Sequence, residues 1–551
     1  MTEASSYDFV VVGAGSAGAI VASRLSEGGQ FSVLVLEAGG WDRNIWIHLP
    51  IGFAKTAVDK SVNWAYKTEP EAQLNGRSIY WPRGKVVGGS GAINGLIHVR
   101  GQREDFDGWR DAGCAGWGWN DVLPYFKKYE SHHLGATDLH GADGPVTVSK
   151  PRDKSLLSES VIAACINNGF KRNPDFNSGL QEGVAFYDLT IRKGRRSNSA
   201  IGALRPAAKR GNLKVEVNAH VERLEFKGKR ISNVVYRDKA GGTVKVRVRR
   251  EAILCGGAVN TPQLLMLSGI GPKAHLDEIG IPAVHASEQV GANLQDHMGI
   301  RLLCKTKKPI TFNDDMNVWW RKIGVGLKYL LFRSGPLTYS AAQLGFFFRS
   351  RKEEPRVDAQ AFLSPFSTSG LGKPLHPFSA FGISVLQSWP ESRGTVRLRD
   401  ADPASPPLIR PNYLSTAGDR QFFVNALRKL REVAATEPLK GLIAEEFLPG
   451  PAVKTEAEAL EYVRATSHTG YHACGTCRMG SDEAAVVDTA LRLRGVQGVR
   501  VADASIMPRI TSGNINAPTL MIGEKAADLI LADHRDATAS ARNEHAREAS
   551  S

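Results

Sequence analysis

The chain has 551 residues, of which 42% are hydrophobic and 23% are charged. Because this length exceeds what one hydrophobic core usually serves, we expect two or three lobes. The formal net charge is +14, but the basic residues are dispersed and accompany no recognition module, so we predict no nucleic-acid partner. No apolar run approaches the roughly 18 residues that span a membrane. The first six residues lack the features of a secretion signal. We therefore expect a cytoplasmic protein with at most peripheral contact with the inner membrane.

The first elements in the chain form an ordered pattern. An apolar run at residues 7–12 leads into the turn Gly13-Ala14-Gly15-Ser16-Ala17-Gly18, and an amphipathic stretch and a second apolar run ending at Glu37 follow. This order of strand, glycine turn, helix, strand and acidic residue is typical of the dinucleotide-binding fingerprint. In that fingerprint Glu37 would accept hydrogen bonds from the ribose hydroxyls. The pattern does not separate FAD from NAD. Glu37 disfavours NADP, because its carboxylate would meet a phosphate. The alternative is a glycine-rich turn that binds nothing.

Two more glycine-rich segments follow, at residues 81–95 and 256–271. Such loops expose backbone N–H groups and tolerate close contact with a flat ligand. Between them, residues 245–250 alternate charged residues with valine, which predicts a strand with one solvent-exposed face.

Near the C-terminus, His472 lies in a glycine-containing segment, and Asn516 follows in the motif Gly513-Asn514-Ile515-Asn516. A titratable base paired with a neutral amide suits proton abstraction from a hydroxyl group. A purely structural histidine is the alternative.

Cys474 and Cys477 form a Cys-x-x-Cys, a motif typical of zinc sites and of redox-active thiol pairs. No second pair has finger spacing and no thioredoxin-like strand precedes the motif. We predict no metal site and interpret both residues as small side chains packed near the cofactor. Six cysteines in so long a chain make no disulfide framework, which suggests a reducing compartment.

Together these segments resemble the glucose–methanol–choline (GMC) oxidoreductases, a family of FAD enzymes. Residues 84–94 look like its first signature, 257–271 like its second, and 472–480 with Asn516 like its catalytic block. The resemblance implies a discontinuous fold, with an α/β Rossmann-like FAD-binding lobe and an α+β substrate lobe with an antiparallel sheet. The FAD lobe would comprise residues 6–155, 196–300 and 469–533, and the substrate lobe 156–195 and 301–468, including a strand at 394–399. We predict that the polar tail, 534–551, is disordered.

The resemblance also implies the contacts with FAD. Those with the pyrophosphate and ribose are Gly13, Gly15, Ser16, Ala17, Gly18, Glu37 and Ala38, and those along the isoalloxazine are Val87, Gly89, Asn94, Gly95 and Ile97. Val221 flanks the adenine, and the ring end is closed by Ala502, Asp503, Asn516, Pro518 and Thr519. Ile93 stands where some members carry the histidine that bonds FAD, so we predict non-covalent FAD. Asp296 and His297 are interpreted as structural.

The implied reaction is the oxidation of an alcohol to an aldehyde. His472 would take the hydroxyl proton, Asn516 would hold the oxygen, and the flavin N5 would accept the hydride. Gln343 aligns where choline-oxidising relatives carry a glutamate, which favours an uncharged, primary alcohol; Phe347 belongs to a set of aromatic residues that the substrate could contact. We expect a quinone or another carrier as electron acceptor. An oxygen-using oxidase that produces hydrogen peroxide and a flavin-containing hydroxynitrile lyase stay open as alternatives.

The segment 317–332 is amphipathic. We expect a packed helix of the substrate lobe, with contact to a membrane surface as the alternative.

Overall fold

The computed structural model of the chain describes residues 5–152 and 155–548. Fourteen strands of these ranges build two large sheets: β1 (Ser6–Val12), β2 (Val33–Glu37), β3 (Gly183–Phe186), β4 (Leu213–Val217), β5 (His220–Lys227), β6 (Arg230–Arg237), β7 (Thr243–Leu254), β8 (Met298–Thr306), β9 (Leu344–Phe348), β10 (Ala359–Ser364), β11 (Ala380–Gln387), β12 (Ile443–Leu448), β13 (His468–Thr469) and β14 (Val499–Val501).

The first sheet has the order β4–β2–β1–β7–β6–β5, and β14 also pairs with β7. The strands β4, β2, β1, β7 and β14 run parallel, whereas β6 and β5 are antiparallel additions. Every residue of β2 and the last four of β1 are buried, as in a parallel sheet covered on both faces. In β7 exposed residues alternate with buried or half-buried ones from Thr243 to Arg250, and the last four residues, 251–254, are buried beside β1.

The second sheet is antiparallel, with the order β12–β8–β11–β10–β9–β3 and with β13 paired to β8. All residues of β9 and β11 are buried. The two sheets confirm the predicted fold class. Each sheet collects strands from separate parts of the chain, in agreement with a discontinuous architecture, while the lobe boundaries stay a prediction.

The helices surround these sheets. Their bounds are α1 (Ser16–Leu25), α2 (Ile45–His48), α3 (Phe53–Thr56), α4 (Ser90–Ile93), α5 (Arg103–Asp111), α6 (Trp119–Tyr129), α7 (Leu156–Asn167), α8 (Arg205–Ala207), α9 (Gly257–Leu267), α10 (Lys273–Ile279), α11 (Phe312–Asn317), α12 (Trp319–Phe332), α13 (Ala417–Ala434), α14 (Leu439–Leu442), α15 (Glu456–Thr466) and α16 (Asn516–Glu548). The helix α1 packs along α16, so both ends of the chain meet beside the first sheet.

Short two-stranded ribbons complete the fold. They pair Tyr66–Lys67 with Tyr80–Trp81, Ile97–His98 with Asp188–Leu189, Glu130–His132 with Val146–Val148, Ile191–Arg192 with Arg195–Arg196, Ile270–Gly271 with His285–Ala286, and Thr395–Arg397 with Leu408–Arg410. The last pair corrects the assignment of 394–399 to the antiparallel sheet. Thr395–Arg397 pairs as a strand with Leu408–Arg410, because the chain turns back at once through a Pro-rich loop, and the Val396 N–H donates to the carbonyl oxygen of Gly291 at 2.7 Å.

Two further segments differ from expectation. The helix α12 is largely exposed, with only Val325 and Tyr329 buried, so it is not a packed helix of the substrate lobe. The helix α16 continues through the polar segment to Glu548, where the sequence predicts disorder. Its alanine-, arginine- and glutamate-rich composition favours extension of a helix that is already nucleated. The remaining tail, 549–551, lies outside the described residues. Among the described helices, none is both long enough and apolar enough to cross a membrane.

Candidate active site

The glycine turn joins β1 to α1 as the fingerprint predicts. Gly13 has φ +100°, and a Cβ there would lie 2.6 Å from the carbonyl oxygen of Cys255, so the turn requires glycine. The helix α1 begins at Ser16 with Gly15 as N-cap, and no side chain of the described residues caps it. Its first N–H groups therefore remain available for an anion, which the helix dipole also favours.

Glu37 ends β2 and is buried beside this turn. Its carboxylate accepts hydrogen bonds from the backbone N–H groups of Ala14 and Gly39, both at 2.9 Å. Burial raises the pKa of Glu37 to about 7, although both hydrogen bonds and Lys85 oppose the shift. Glu37 therefore ties the glycine turn to the end of β2.

A cavity of about 480 Å³ runs from this turn to the second sheet. This volume lies within the range of pockets for cofactors and substrates. The predicted residues that line it are Gly13, Gly15, Ser16, Ala17, Glu37, Ala38, Gly89, Asn94, Gly95, Ile97, Val221, His472, Asp503, Asn516 and Thr519, and Ile93 lines it as well. The predicted contacts Gly18, Val87, Ala502 and Pro518 are not among its lining residues.

Two of the lining residues are fixed by hydrogen bonds to distant segments. The side-chain oxygen of Asn94 accepts a bond from the Arg196 guanidinium at 2.6 Å. Asp503 accepts bonds from the Gly257 N–H at 2.8 Å and the Thr261 hydroxyl at 2.6 Å, at the start of α9. Segments far apart in sequence thus form one continuous wall.

His472 lies in the loop after β13, with 8% of its surface exposed. Its Nε2 is 3.0 Å from Nδ2 of Asn514, and both residues line the cavity. The Asn514 oxygen accepts a hydrogen bond from Gln360 Nε2 at 3.1 Å, so the amide nitrogen is the end that faces His472. Asn514 therefore donates to a lone pair on Nε2.

The other nitrogen of His472 meets a second imidazole. Nδ1 of His472 is 2.9 Å from Nδ1 of His297, and Nε2 of His297 is 3.2 Å from the carbonyl oxygen of Ser388. Because a carbonyl only accepts, the His297 proton is on Nε2 and its Nδ1 is an acceptor. His472 must then carry its proton on Nδ1, which leaves Nε2 unprotonated toward the cavity.

The surroundings keep His472 neutral. Burial lowers its pKa well below the ordinary value, and His297 and Arg83 lower it further. Burial likewise lowers the pKa of His297 to about 3. The pair is therefore two neutral imidazoles at neutral pH, and His472 is ready to accept a proton.

Asp296 fixes the backbone of this loop. Its carboxylate accepts a hydrogen bond from the His472 N–H at 2.6 Å and others from Thr469 and Tyr413. Tyr471 has φ +65°, a left-handed conformation that is uncommon outside glycine. Asp296 and His297 thus position the candidate base, a contact that the sequence did not reveal.

Among the described residues, Asn516 forms its side-chain hydrogen bond with Ser16 and none with His472. As the first residue of α16, it accepts a hydrogen bond from the Ser16 hydroxyl at 2.7 Å, which places its amide beside the glycine turn. Asn514, two residues earlier, occupies the position expected of Asn516. Both asparagines lie in the motif that the sequence singles out. Their spacing from His472 does not determine which of the two amides faces its side chain.

The two predicted substrate residues lie outside the cavity. Gln343 lines a second cavity, near Lys150 and Arg192, and its carbonyl oxygen accepts the Tyr187 N–H. Phe347 is fully buried against Phe176. The chain lines the cavity at Ala341 and then enters β9. The side chains of Gln343 and Phe347 therefore lie away from the cavity.

Cys474 and Cys477 are free, fully buried thiols within the core cluster of the first sheet. Burial raises the pKa of both, so neither is a thiolate at neutral pH. This environment does not favour zinc or redox chemistry at the motif.

Comparison with known proteins identifies the class. Residues 7–299 and 390–523 match the N-terminal and C-terminal family models of GMC oxidoreductase. The chain belongs to the GMC oxidoreductase family, and it is therefore an oxidoreductase of the kind that acts on CH–OH donors.

Two relatives are similar over nearly the whole chain. The alcohol dehydrogenase [acceptor] of Pseudomonas putida is 40% identical over 528 residues, which cover 95% of this chain and 96% of that protein. The mitochondrial choline dehydrogenase of Mus musculus is 40% identical over 533 residues, which cover 95% and 89%.

Two solved structures have the same fold. Pyridoxine 4-oxidase from Mesorbium loti has a TM-score of 0.86 at 32% identity, covering 95% of this chain and 98% of that chain. Formate oxidase from Aspergillus oryzae RIB40 has a TM-score of 0.91 at 28% identity, covering 97% and 100%.

Proposed function

We propose that this protein oxidises an uncharged primary alcohol to an aldehyde, with non-covalently bound FAD as its cofactor and a non-oxygen electron acceptor. The observation that carries the proposal is the pair formed by His472 Nε2 and Asn514 Nδ2, 3.0 Å apart on the cavity wall.

The cavity suits FAD at the end formed by the glycine turn. The uncapped start of α1 offers N–H groups to a pyrophosphate, and Ser16 and Asn516 form a polar pair beside it. Gly89 has φ +52°, and a Cβ there would lie 2.8 Å from Gly15 Cα, so the two loops approach each other closely. Ile93 supplies no nucleophile, which supports a dissociable cofactor. Hydride acceptance is the chemistry that bound FAD would supply.

The protein side chains supply proton transfer and orientation. Nε2 of His472 would accept the hydroxyl proton once the substrate hydroxyl replaces the Asn514 amide as its hydrogen-bond donor, because Nδ1–H is occupied by His297. Asn514 would donate a hydrogen bond to the substrate oxygen and stabilise the developing negative charge. Gln360 holds the amide in the orientation that this role requires.

The charges of the lining residues favour an uncharged alcohol. Among the described residues that line the cavity, the only carboxylates are Glu37 and Asp503. Both are engaged by backbone and hydroxyl groups of the first sheet and its connections. The second sheet contributes Arg301 and the apolar residues Phe362 and Leu386. A quaternary ammonium ion would thus meet a cation and no carboxylate at this end.

A substrate comparison tests the proposal. Turnover of primary alcohols and of choline would be measured with an artificial electron acceptor. We expect kcat/KM for an uncharged primary alcohol to exceed that for choline by at least about tenfold, because a cation lacks a counter-charge. Preference for choline would contradict the substrate assignment.

A second candidate is an oxidase that reduces oxygen to hydrogen peroxide. It is favoured by the names of the two solved structures, both oxidases. Peroxide formation under air, at a rate that matches turnover with the artificial acceptor, would establish the oxidase and overturn the proposed acceptor. Reduction of the flavin by alcohol without air would exclude the hydroxynitrile lyase.

A further inference from the structure

The helix α12 presents its apolar residues to solvent. Seven of its large apolar side chains are more than half exposed: Trp319 (68%), Trp320 (61%), Ile323 (54%), Leu327 (52%), Leu330 (67%), Leu331 (72%) and Phe332 (69%). Exposed apolar residues scattered singly are ordinary, but a set that recurs on one side of a helix marks an interaction surface, and all of these residues except the terminal Phe332 share one side. We call these seven residues the α12 surface.

The helix is amphipathic, but its broad apolar side faces solvent and not the protein. Its protein-facing side consists of Val325 and Tyr329, one turn apart, and the Tyr329 hydroxyl donates to the carbonyl oxygen of Gly194 at 3.1 Å. Ile323, Leu327, Leu330 and Leu331 recur at three- and four-residue spacing on the opposite side. The helix is therefore docked by a narrow seam, and its broad apolar face points away from the protein.

The charges on the helix point to a negatively charged partner. The helix contains Arg321, Lys322 and Lys328 and no acidic residue, and the whole chain carries a net charge of +14. On the helical wheel Arg321 and Lys328 lie at one margin of the apolar face, and Lys322 lies at the other. Tryptophan and basic residues at the margins of an apolar face are typical of helices that lie at a bilayer surface.

We propose that the α12 surface is a membrane-docking surface, which inserts its apolar side chains among the acyl chains of a bilayer containing anionic phospholipid. A second copy of this chain is a less suitable occupant. A two-fold symmetric contact brings the same patch of each copy together, and basic margins would face basic margins.

The segments on either side of α12 pack against or near the wall of the active-site cavity. Phe312, at the start of α11, contacts Phe366, a cavity-lining residue, at a ring-centroid distance of 6.4 Å. Asn313 donates to the carbonyl oxygen of Ser367 at 3.1 Å. The turn Pro336–Thr338 after α12 packs against the turn Pro50–Gly52, next to the helix with the exposed Ile45 and Trp46. If the proposed alcohol oxidation is correct, docking brings the cavity wall close to lipid-soluble reactants.

Vesicle co-sedimentation tests the docking. The purified flavoprotein would be mixed with vesicles of phosphatidylcholine and phosphatidylglycerol, or of phosphatidylcholine alone. The test variant is Leu327→Glu with Leu331→Glu. The matched control is Leu134→Glu with Leu180→Glu, which changes the charge equally at sites of similar exposure, 59% and 72% against 52% and 72%. Neither pair touches the cavity, so activity with a soluble acceptor reports intact folding.

We expect the wild type and the control to sediment with anionic vesicles, and the test variant to bind at least about tenfold more weakly. Binding should be weaker to phosphatidylcholine alone. Absence of wild-type binding to anionic vesicles would overturn the proposal. An equal loss of vesicle binding in both variants would also overturn it, because binding would then depend on the net charge of the protein and not on the α12 surface. It would also be overturned by a wild-type dimer that the test variant dissociates without any vesicle binding. Failure of the alcohol assay would leave these outcomes unaffected.

Discussion

At the scale of single residues, the state of His472 depends on groups from four segments of the chain. The Ser388 carbonyl fixes the proton of His297, His297 accepts from His472, and Asp296 holds the His472 backbone. Gln360 orients Asn514 on the other side. A base with a defined tautomer and a fixed hydrogen-bond partner loses little orientational freedom when the substrate binds.

Asn514 and Asn516 provide a matched pair of substitutions. We expect Asn514→Ala to slow flavin reduction by about 10²–10³-fold, because a donor to the developing charge is lost. Asn516→Ala should affect cofactor affinity more than the reduction rate, since Asn516 contacts Ser16 beside the glycine turn. Stopped-flow reduction rates and flavin content of both variants check this. The reverse pattern would restore Asn516 as the substrate-facing amide.

The depressed pKa of His472 predicts the pH profile. The base must be neutral to accept a proton, and its pKa lies well below the ordinary 6.5 because of burial, His297 and Arg83. Protonation, and with it loss of activity, should therefore begin only at lower pH. We expect kcat/KM to stay level from neutral pH down to 6.5 and to fall below it. An acid limb centred above pH 6.5 would contradict the neutral, buried imidazole.

The sequence singled out His472 and Asn516, which both line the cavity, but not Asn514, which bonds to His472; their catalytic roles stay predictions. Motif spacing counts residues along the chain and does not specify which side of the chain faces a cavity. The helix α16 begins at Asn516, so Asn514 precedes it and points differently. A similar reason applies to Gln343, which is expected to contact the substrate but lines the second cavity. The chain contacts the first cavity at Ala341 and leaves it within two residues.

At the scale of elements, the β1–turn–α1–β2 unit was the most predictable part. Its signal is local, because the glycines, the buried strands and Glu37 lie within about thirty residues. By contrast, the exposure of α12 depends on what packs against it. Its periodicity predicts an amphipathic helix, but periodicity does not determine which face meets the protein.

Two glycine substitutions test the role of the turn. Gly13→Ala would place a Cβ 2.6 Å from Cys255 O at a positive φ, so we expect loss of bound flavin and lower stability. Gly324→Ala is the control, because a Cβ there meets nothing within 4 Å in helix α12. It should raise the free energy of unfolding by about 0.5–1 kcal/mol. Thermal unfolding and flavin absorbance measure both. Full flavin content in Gly13→Ala would contradict the predicted role of the turn in binding FAD.

At the scale of the whole molecule, the cavity joins the two sheets. Its lining residues come from both, and from chain positions as distant as Gly13 and Thr519. A ligand that binds only the folded state stabilises it by about 2.7 kcal/mol at one hundred times its Kd. FAD added to apoprotein should therefore raise Tm in a concentration-dependent way. A Tm that is independent of FAD would contradict a dissociable cofactor in this cavity.

In the proposed reaction His472 accepts the substrate proton while a bound flavin is reduced by an alcohol. Anaerobic stopped-flow spectroscopy with a primary alcohol tests it most directly, comparing the wild type with His472→Ala at equal flavin content. We predict that the alcohol bleaches the wild-type flavin and that His472→Ala reacts about 10²–10⁴-fold more slowly. If no alcohol bleaches the wild type, or if His472→Ala is bleached as fast, His472 is not the base of an alcohol oxidation.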